Sequence, residues 1–137
     1  MAVIQVEDRI GKILAESRTV AVVGLSDKPH RPSHAVAKYM QERGFKVIPV
    51  NPMIDEVLGE KSYRSLSEIP GKVDLVDVFR KSGDVPLIAA EAVRIGARYF
   101  WTQEGVTSDA AREILDAAGI PWVMDRCVKK ELAKRGI

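Results

Sequence analysis

Thr19-Val20-Ala21-Val22-Val23-Gly24-Leu25-Ser26-Asp27-Lys28-Pro29-His30-Arg31-Pro32-Ser33-His34 is the stretch whose reading decides the fold. Residues 20–23 are continuous, apolar and mostly β-branched, as a strand covered on both faces would be. Gly24 follows at once, where the chain must turn sharply with no Cβ in the way. Ser33 is a candidate N-cap for a helix over 35–43. A strand that feeds a helix through such a loop aims free backbone N–H groups and the positive helix end at one spot. That spot suits phosphate.

The same alternation extends outward. Upstream, Val6, Ile10, Ile13 and Leu14 fall at i, i+4, i+7 and i+8, one face of a short amphipathic helix. Downstream, a helix over about 33–43 carries Val36, Tyr39 and Met40 at helical spacing and stops at Gly44. Residues 45–50 form a second strand, which Pro49 is expected to end or bulge because it lacks a ladder donor. A longer connection over 53–71 has turn signals at Leu58-Gly59 and Pro70-Gly71 and room for one helical turn over 65–69. Residues 73–79 form a third strand, whose Asp77 interrupts an apolar run and needs a hydrogen-bond partner if buried. Val85, Ile88, Ala89, Ala92 and Val93 make a helical stripe closed by Gly96. A fourth strand over 99–102 follows, then a helix marked by Ala111, Ile114, Leu115 and Ala118, opened by Thr107 or Ser108 and closed by Gly119. Residues 120–124 form a fifth strand and 127–135 a terminal helix.

Strands alternating with helices require crossovers, and so a parallel sheet with right-handed connections. The expected fold is a doubly wound, Rossmann-like α/β domain with one five-stranded, mostly parallel sheet, a single domain over 1–137. A hydrophobic fraction of 46% with 29% charged residues fits an ordinary globular protein. The formal net charge of +2 is too small to argue for nucleic acid or an anionic membrane as partner. No apolar run approaches the roughly 20 residues of a membrane span. The single cysteine, Cys127, excludes an intrachain disulfide and fits a reducing interior. Residues 1–8 show no basic leader followed by an apolar run, so the expectation is a cytoplasmic protein.

In such sheets ligands bind beyond the carboxyl ends of the strands, at the switch point. A dinucleotide fingerprint needs G-x-G-x-x-G, but Ser26 and Pro29 occupy the second and third glycine positions. An NAD site also wants an acid at the end of the second strand, where the chain offers Val50-Asn51-Pro52. Both departures count against ordinary NAD binding and leave open a nucleotide with its phosphates placed differently. The first loop carries Ser26, Lys28, His30, Arg31 and Ser33, good phosphate donors at a helix start, and Arg80-Lys81 adds charge on the same sheet edge. Read from composition alone, these are equally the solvated charges of a surface loop.

Taken together, Val22-Val23-Gly24-Leu25-Ser26-Asp27-Lys28-Pro29-His30-Arg31-Pro32-Ser33, Val47-Ile48-Pro49-Val50-Asn51-Pro52, Val73-Asp74-Leu75-Val76-Asp77-Val78-Phe79-Arg80 and Asp125-Arg126-Cys127 resemble the CoA-binding Rossmann-domain proteins. These are small stand-alone proteins similar to the N-terminal domain of the succinyl-CoA synthetase alpha subunit and of ADP-forming acyl-CoA synthetases. The resemblance implies that Gly24, Ser26, Arg31 and Ser33 hold the CoA phosphates, with Leu25 and Lys28 of the same loop among the binding residues. It implies that Val50, Asn51 and Pro52 lie beside the adenosine end, and that Val78, Phe79 and Arg80 line the path of the pantetheine arm. Gln103 and Glu104 match the strand end near the thiol. The phosphorylated histidine of the synthetases belongs to a second domain that is not expected here, and His30 and His34 do not replace it, so acyl-phosphate chemistry is not expected either.

Other residues invite functional readings. Cys127 follows Asp125-Arg126 at a candidate helix start, which lowers a thiol pKa. It reads either as a thiol that exchanges with the CoA thiol or, more in keeping with free cysteines, as a small packing residue. His30 lies in the loop before Pro32, so it and His34 need not share a helix face, and no third ligand cluster of Cys, His or carboxylate is evident, against a metal site. Asp74 and Asp77, three apart on a strand, face opposite sides and make no acid/base pair. Trp122 reads as core and Trp101 as near enough to a strand end to touch ligand. Lys129-Lys130-Glu131 to Lys134-Arg135 reads as a solvated helix face. Two functions follow: a module that binds CoA or an acyl-CoA without catalysis, or a small enzyme or redox protein that acts on a CoA thioester or binds NAD(P). Docking to a partner enzyme or to a second copy is compatible with either.

Overall fold

Alternation along the buried strands divides the core into two layers, one on each face of a parallel sheet. The computed structural model describes residues 5–137, and the part of the leader reading that falls on 1–4 lies outside them. The elements run α1 (Val6–Glu16), β1 (Thr19–Val23), α2 (Pro32–Glu42), β2 (Lys46–Val50), a hairpin of β3 (Glu56–Val57) and β4 (Glu60–Lys61), β5 (Leu75–Val78), α3 (Val85–Arg94), β6 (Tyr99–Thr102), α4 (Asp109–Ala117), β7 (Trp122–Val123) and α5 (Val128–Lys134). Single 3₁₀ turns lie at Leu66–Glu68, inside the turn expected over 65–69, and at Ser82–Asp84. The main sheet has the order β2-β1-β5-β6-β7, every pair parallel. Val20, Val22 and Leu75 face α1, α2 and α5, and pack with Ile10, Ile13, Met40, Val128 and Leu132. Ala21, Val23, Val76 and Val78 face α3 and α4, and pack with Val85, Ala89, Ala92, Ala111 and Leu115. This is the doubly wound, Rossmann-like arrangement expected from the strand–helix alternation. Its strand order reverses between β1 and β5, which sets the switch point at their carboxyl ends.

Several local expectations change. α2 begins at Pro32, so Arg31 occupies the N-cap position and Ser33 lies inside the first turn. Proline suits that first position because its missing N–H would be unpaired there in any case. β2 continues through Pro49, paired in register with Val22. The Pro49 carbonyl accepts from the Tyr63 N–H at 3.0 Å, on the side away from β1. The absent donor therefore points out of the main ladder, where a strand tolerates proline. The connection over 53–71 contains the β3–β4 hairpin, turned by Leu58 and Gly59 at φ +55° and +76°. The third and fifth strands are shorter than expected, at Leu75–Val78 and Trp122–Val123. Val6 is exposed while Ile10, Ile13 and Leu14 are buried. Ser108 caps α4, accepting from the Ala111 N–H at 3.1 Å.

The tryptophans exchange roles. Trp101 is fully buried, and its Nε1–H donates to the Arg126 carbonyl at 2.7 Å. Trp122 is only partly buried. The guanidiniums of Arg9 and Arg112 lie over its ring, 5.6 and 5.1 Å from the centroid. The terminal helix is more than a solvated face. Glu131 is buried and ion-paired with Arg135 at 2.6 Å, and Arg135 also holds Glu7 of α1 at 2.6 Å. No helix among the described residues is long and apolar enough to cross a membrane.

Candidate functional site

β1 delivers Gly24 to the switch point with φ +88°, and only glycine fits there. A Cβ at this position would stand 2.6 Å from the Phe79 carbonyl oxygen and 3.1 Å from Arg80 Cδ. The close approach follows from the ladder itself: the Phe79 N–H donates to the Val23 carbonyl at 2.8 Å, and the Gly24 N–H donates to the Val50 carbonyl at 2.9 Å. The ends of β2, β1 and β5 are thus held together around one residue without a side chain.

Two clefts meet at Gly24. The first, of about 370 Å³, is walled by the loop after β1 and the start of α2: Ser26, Lys28, Arg31, Pro32, Ser33 and Phe79. Its loop is fixed internally. Ser33 Oγ accepts from the Ser26 N–H at 3.0 Å, and Ser26 Oγ accepts from the Lys28 N–H at 3.1 Å. Ser33 thus stabilises the loop across seven residues rather than capping its own helix. The first turn of α2 carries no acidic side chain, so its positive end is left uncompensated. Among the described residues, neither Lys28 nor Arg31 has a carboxylate partner.

The second cleft, of about 270 Å³, lies between the ends of β2 and β5, the segment after β4 and the first turns of α3. Asn51 and Pro52 line it, with Arg64, Arg80, Leu87 and Ile88. Asn51 is held from both ends: its Nδ2 donates to the Leu25 carbonyl at 2.9 Å, and its Oδ1 accepts from the Met53 N–H at 2.9 Å. Arg80 is held by Asp84 at 3.1 Å. Glu91 accepts from the N–H groups of Leu66 and Ser67 and from Ser67 Oγ, which fastens the segment bearing Arg64 onto α3. Leu87 is 80% exposed and gives the cleft an apolar rim.

The expected site residues divide accordingly. Gly24, Ser26, Lys28, Arg31, Ser33 and Phe79 share the first cleft, and Gly24, Val50, Asn51, Pro52 and Arg80 share the second. The side chains of Leu25, Val50 and Val78 are buried, and their carbonyls accept from Asn51 Nδ2–H, the Gly24 N–H and the Gln103 N–H in turn. Gln103 and Glu104 line neither cleft. Gln103 is buried, donating from Nε2 to Asp77 Oδ1 at 2.5 Å and accepting the Val128 N–H at 3.4 Å, while Glu104 pairs with Lys130 at 3.0 Å. Asp77 is fully buried with Oδ2 unpartnered, and burial pushes its carboxyl up to about 7 despite the Gln103 bond. Arg64, Leu87, Ile88 and Glu91 carry no motif. The Asp84-Val85-Pro86 helix start is the one local signal that could have pointed to that wall.

Cys127 sits at the N-cap of α5, partly buried against the first core layer. Among the described residues, no group of three His, Cys, Asp or Glu could hold a metal ion. A cavity larger than either cleft, about 550 Å³, lies at the opposite, amino end of the strands. Arg9, Lys12, Tyr99, Asp116, Pro121 and Trp122 line it.

Fold and site together define a Rossmann-like domain whose switch point gathers Lys28, Arg31 and Arg64, cations free of carboxylate partners among the described residues. The comparison with known proteins is consistent with this. The family described as CoA binding domain matches residues 18–133, and the chain belongs to that family. It is 48% identical over 120 residues to the uncharacterized protein YneT of Bacillus subtilis (strain 168), spanning 88% of this chain and 89% of that one. A hypothetical protein from Pyrococcus horikoshii OT3 superposes with a TM-score of 0.91 at 34% identity, covering 98% of both chains. The acetate–CoA ligase (ADP-forming) II subunit alpha of Pyrococcus furiosus is 48% identical over 59 residues, which is 42% of this chain and only 13% of the ligase subunit.

Proposed function

We propose that this domain binds coenzyme A or an acyl-CoA at the carboxyl edge of its sheet and holds it in the cytoplasm without catalysis of its own. The observation that carries the reading is the pair of clefts joined at Gly24, with Lys28, Arg31 and Arg64 facing them and lacking a carboxylate partner among the described residues. The loop cleft fits a diphosphate: it combines an uncompensated helix start, two hydroxyls and an arginine fork. The apolar lining from Pro52, Leu87 and Ile88 suits a flat adenine ring. NAD fits less well. The position at the end of β2 that would need a carboxylate for the ribose hydroxyls is Asn51, whose amide is already committed to the Leu25 carbonyl and the Met53 N–H.

Thermal-shift and calorimetric titration with CoA, acetyl-CoA, NAD and NADP tests this, since a ligand that binds only the native state raises the midpoint. CoA is expected to raise it and the dinucleotides to leave it nearly unmoved. Preference for NAD(P), or no heat and no shift with millimolar CoA, overturns the reading. Arg31→Gln is expected to weaken CoA binding about 10- to 100-fold, the value of a charge-assisted phosphate contact.

A further inference from the structure

We propose that Arg64 is the residue that distinguishes CoA from dephospho-CoA, by taking the phosphate on the 3′ position of the adenosine ribose. The inference rests on the CoA reading and deepens it. If the diphosphate lies over the loop after β1, the nucleoside end passes Gly24 into the second cleft, because the two clefts share that residue. A third phosphate carried on the ribose then needs a donor in that second cleft.

Two arginines line it. Arg80 is committed: its Nε and Nη2 both reach Asp84 Oδ2, at 3.2 and 3.1 Å. Arg64 lines the same cleft, is exposed, and makes no side-chain hydrogen bond or ion pair among the described residues. A guanidinium left without a carboxylate keeps its fork for a phosphate, which it matches in a bidentate fashion. Its backbone is nevertheless fixed. On one side the Tyr63 N–H and carbonyl bond to Pro49 and Asn51, at 3.0 and 2.8 Å. On the other, Glu91 accepts three hydrogen bonds from Leu66 and Ser67. Glu91 is the one acid besides Asp84 in the cleft wall, and these bonds turn it to the backbone rather than to Arg64. The free cation is therefore held at the adenosine end, where the ligand's extra charge falls.

Calorimetric titration of CoA and dephospho-CoA into wild type, Arg64→Gln and Arg80→Gln, at one fixed ionic strength, reads this out. Wild type is expected to prefer CoA by about 10- to 100-fold. In Arg64→Gln the preference falls to near unity through loss of CoA affinity, with dephospho-CoA binding unchanged. Arg64 is exposed, so the variant is expected to melt with wild type. A preference that survives Arg64→Gln overturns the assignment, as does an equal loss for both ligands, or a preference that collapses in Arg80→Gln instead. Wild type binding both ligands equally defeats this inference alone, whereas wild type binding neither defeats the CoA reading as well.

Discussion

The two ends of the sheet hold cavities of opposite character. The larger, at the amino ends of β6 and β7, spends most of its polar groups on its own walls, with Asp8 and Lys12 the exceptions among the described residues. Arg9 donates to the Trp122 carbonyl at 3.2 Å, Trp122 Nε1–H donates to Asp116 at 2.8 Å, and the Tyr99 O–H donates a hydrogen bond to Glu16, which also pairs with Arg98 at 2.6 Å. The smaller clefts at the carboxyl ends leave Lys28, Arg31 and Arg64 without such partners. A cavity whose donors are spent on its own walls is a feature of packing. One whose donors are kept back has the chemistry of a binding site.

The sharpest way to break this contrast is at Gly24. Gly24→Ala forces a Cβ to 2.6 Å from a backbone oxygen at a φ of +88°. A loss of stability above about 2 kcal/mol and loss of CoA binding are expected, read from chemical denaturation and titration. Retention of both would show that the meeting of strand ends is not tight.

A pH series separates the two ends by sign. The carboxyl of Asp77, raised in the fold to about 7 by burial, contributes stability that is complete below its ordinary value of 3.8 and is lost as pH climbs toward 7. Asp77→Asn is expected to remove that decline, a difference of a few kcal/mol near neutrality. At the amino end, the Tyr99 hydroxyl and then Arg98 hold the Glu16 carboxyl below its ordinary 4.5. Its contribution is present above that value and lost as pH falls below it, so Glu16→Gln should blunt only the acid limb. Denaturation midpoints measured from pH 3 to 8 decide this, and a decline unchanged in Asp77→Asn would remove Asp77 as its source.

The smallest effect is expected at the larger cavity. Arg9→Gln removes a cation–π contact and a hydrogen bond worth about 1 kcal/mol together and should leave CoA affinity within twofold of wild type. A tenfold weakening would mean that the two ends communicate.

What was readable from the chain follows from range. The β-branched run ending in Gly24, the helical stripe from Val85 to Val93 and the Ser108 cap are local patterns, and each stands where its own residues put it. Ser33 misled because its hydroxyl serves the Ser26 N–H across the loop, which spacing alone cannot distinguish from a cap. Pro49 misled because its effect depends on which edge its missing donor faces. Gln103, placed by resemblance beside a thiol, is also the partner that Asp77 needs, 26 residues away, which no local pattern records. Arg64 was invisible because a hairpin and a glutamate on another helix bring it to the site, and no periodicity records that.

The three bonds to Glu91 have one more consequence. They immobilise the rim around Arg64 when the chain folds, so an arriving ligand meets a preorganised wall and does not have to order it. Association should then proceed without a slow conformational phase, and amide exchange of Leu66 and Ser67 should be as protected in the free protein as in the complex.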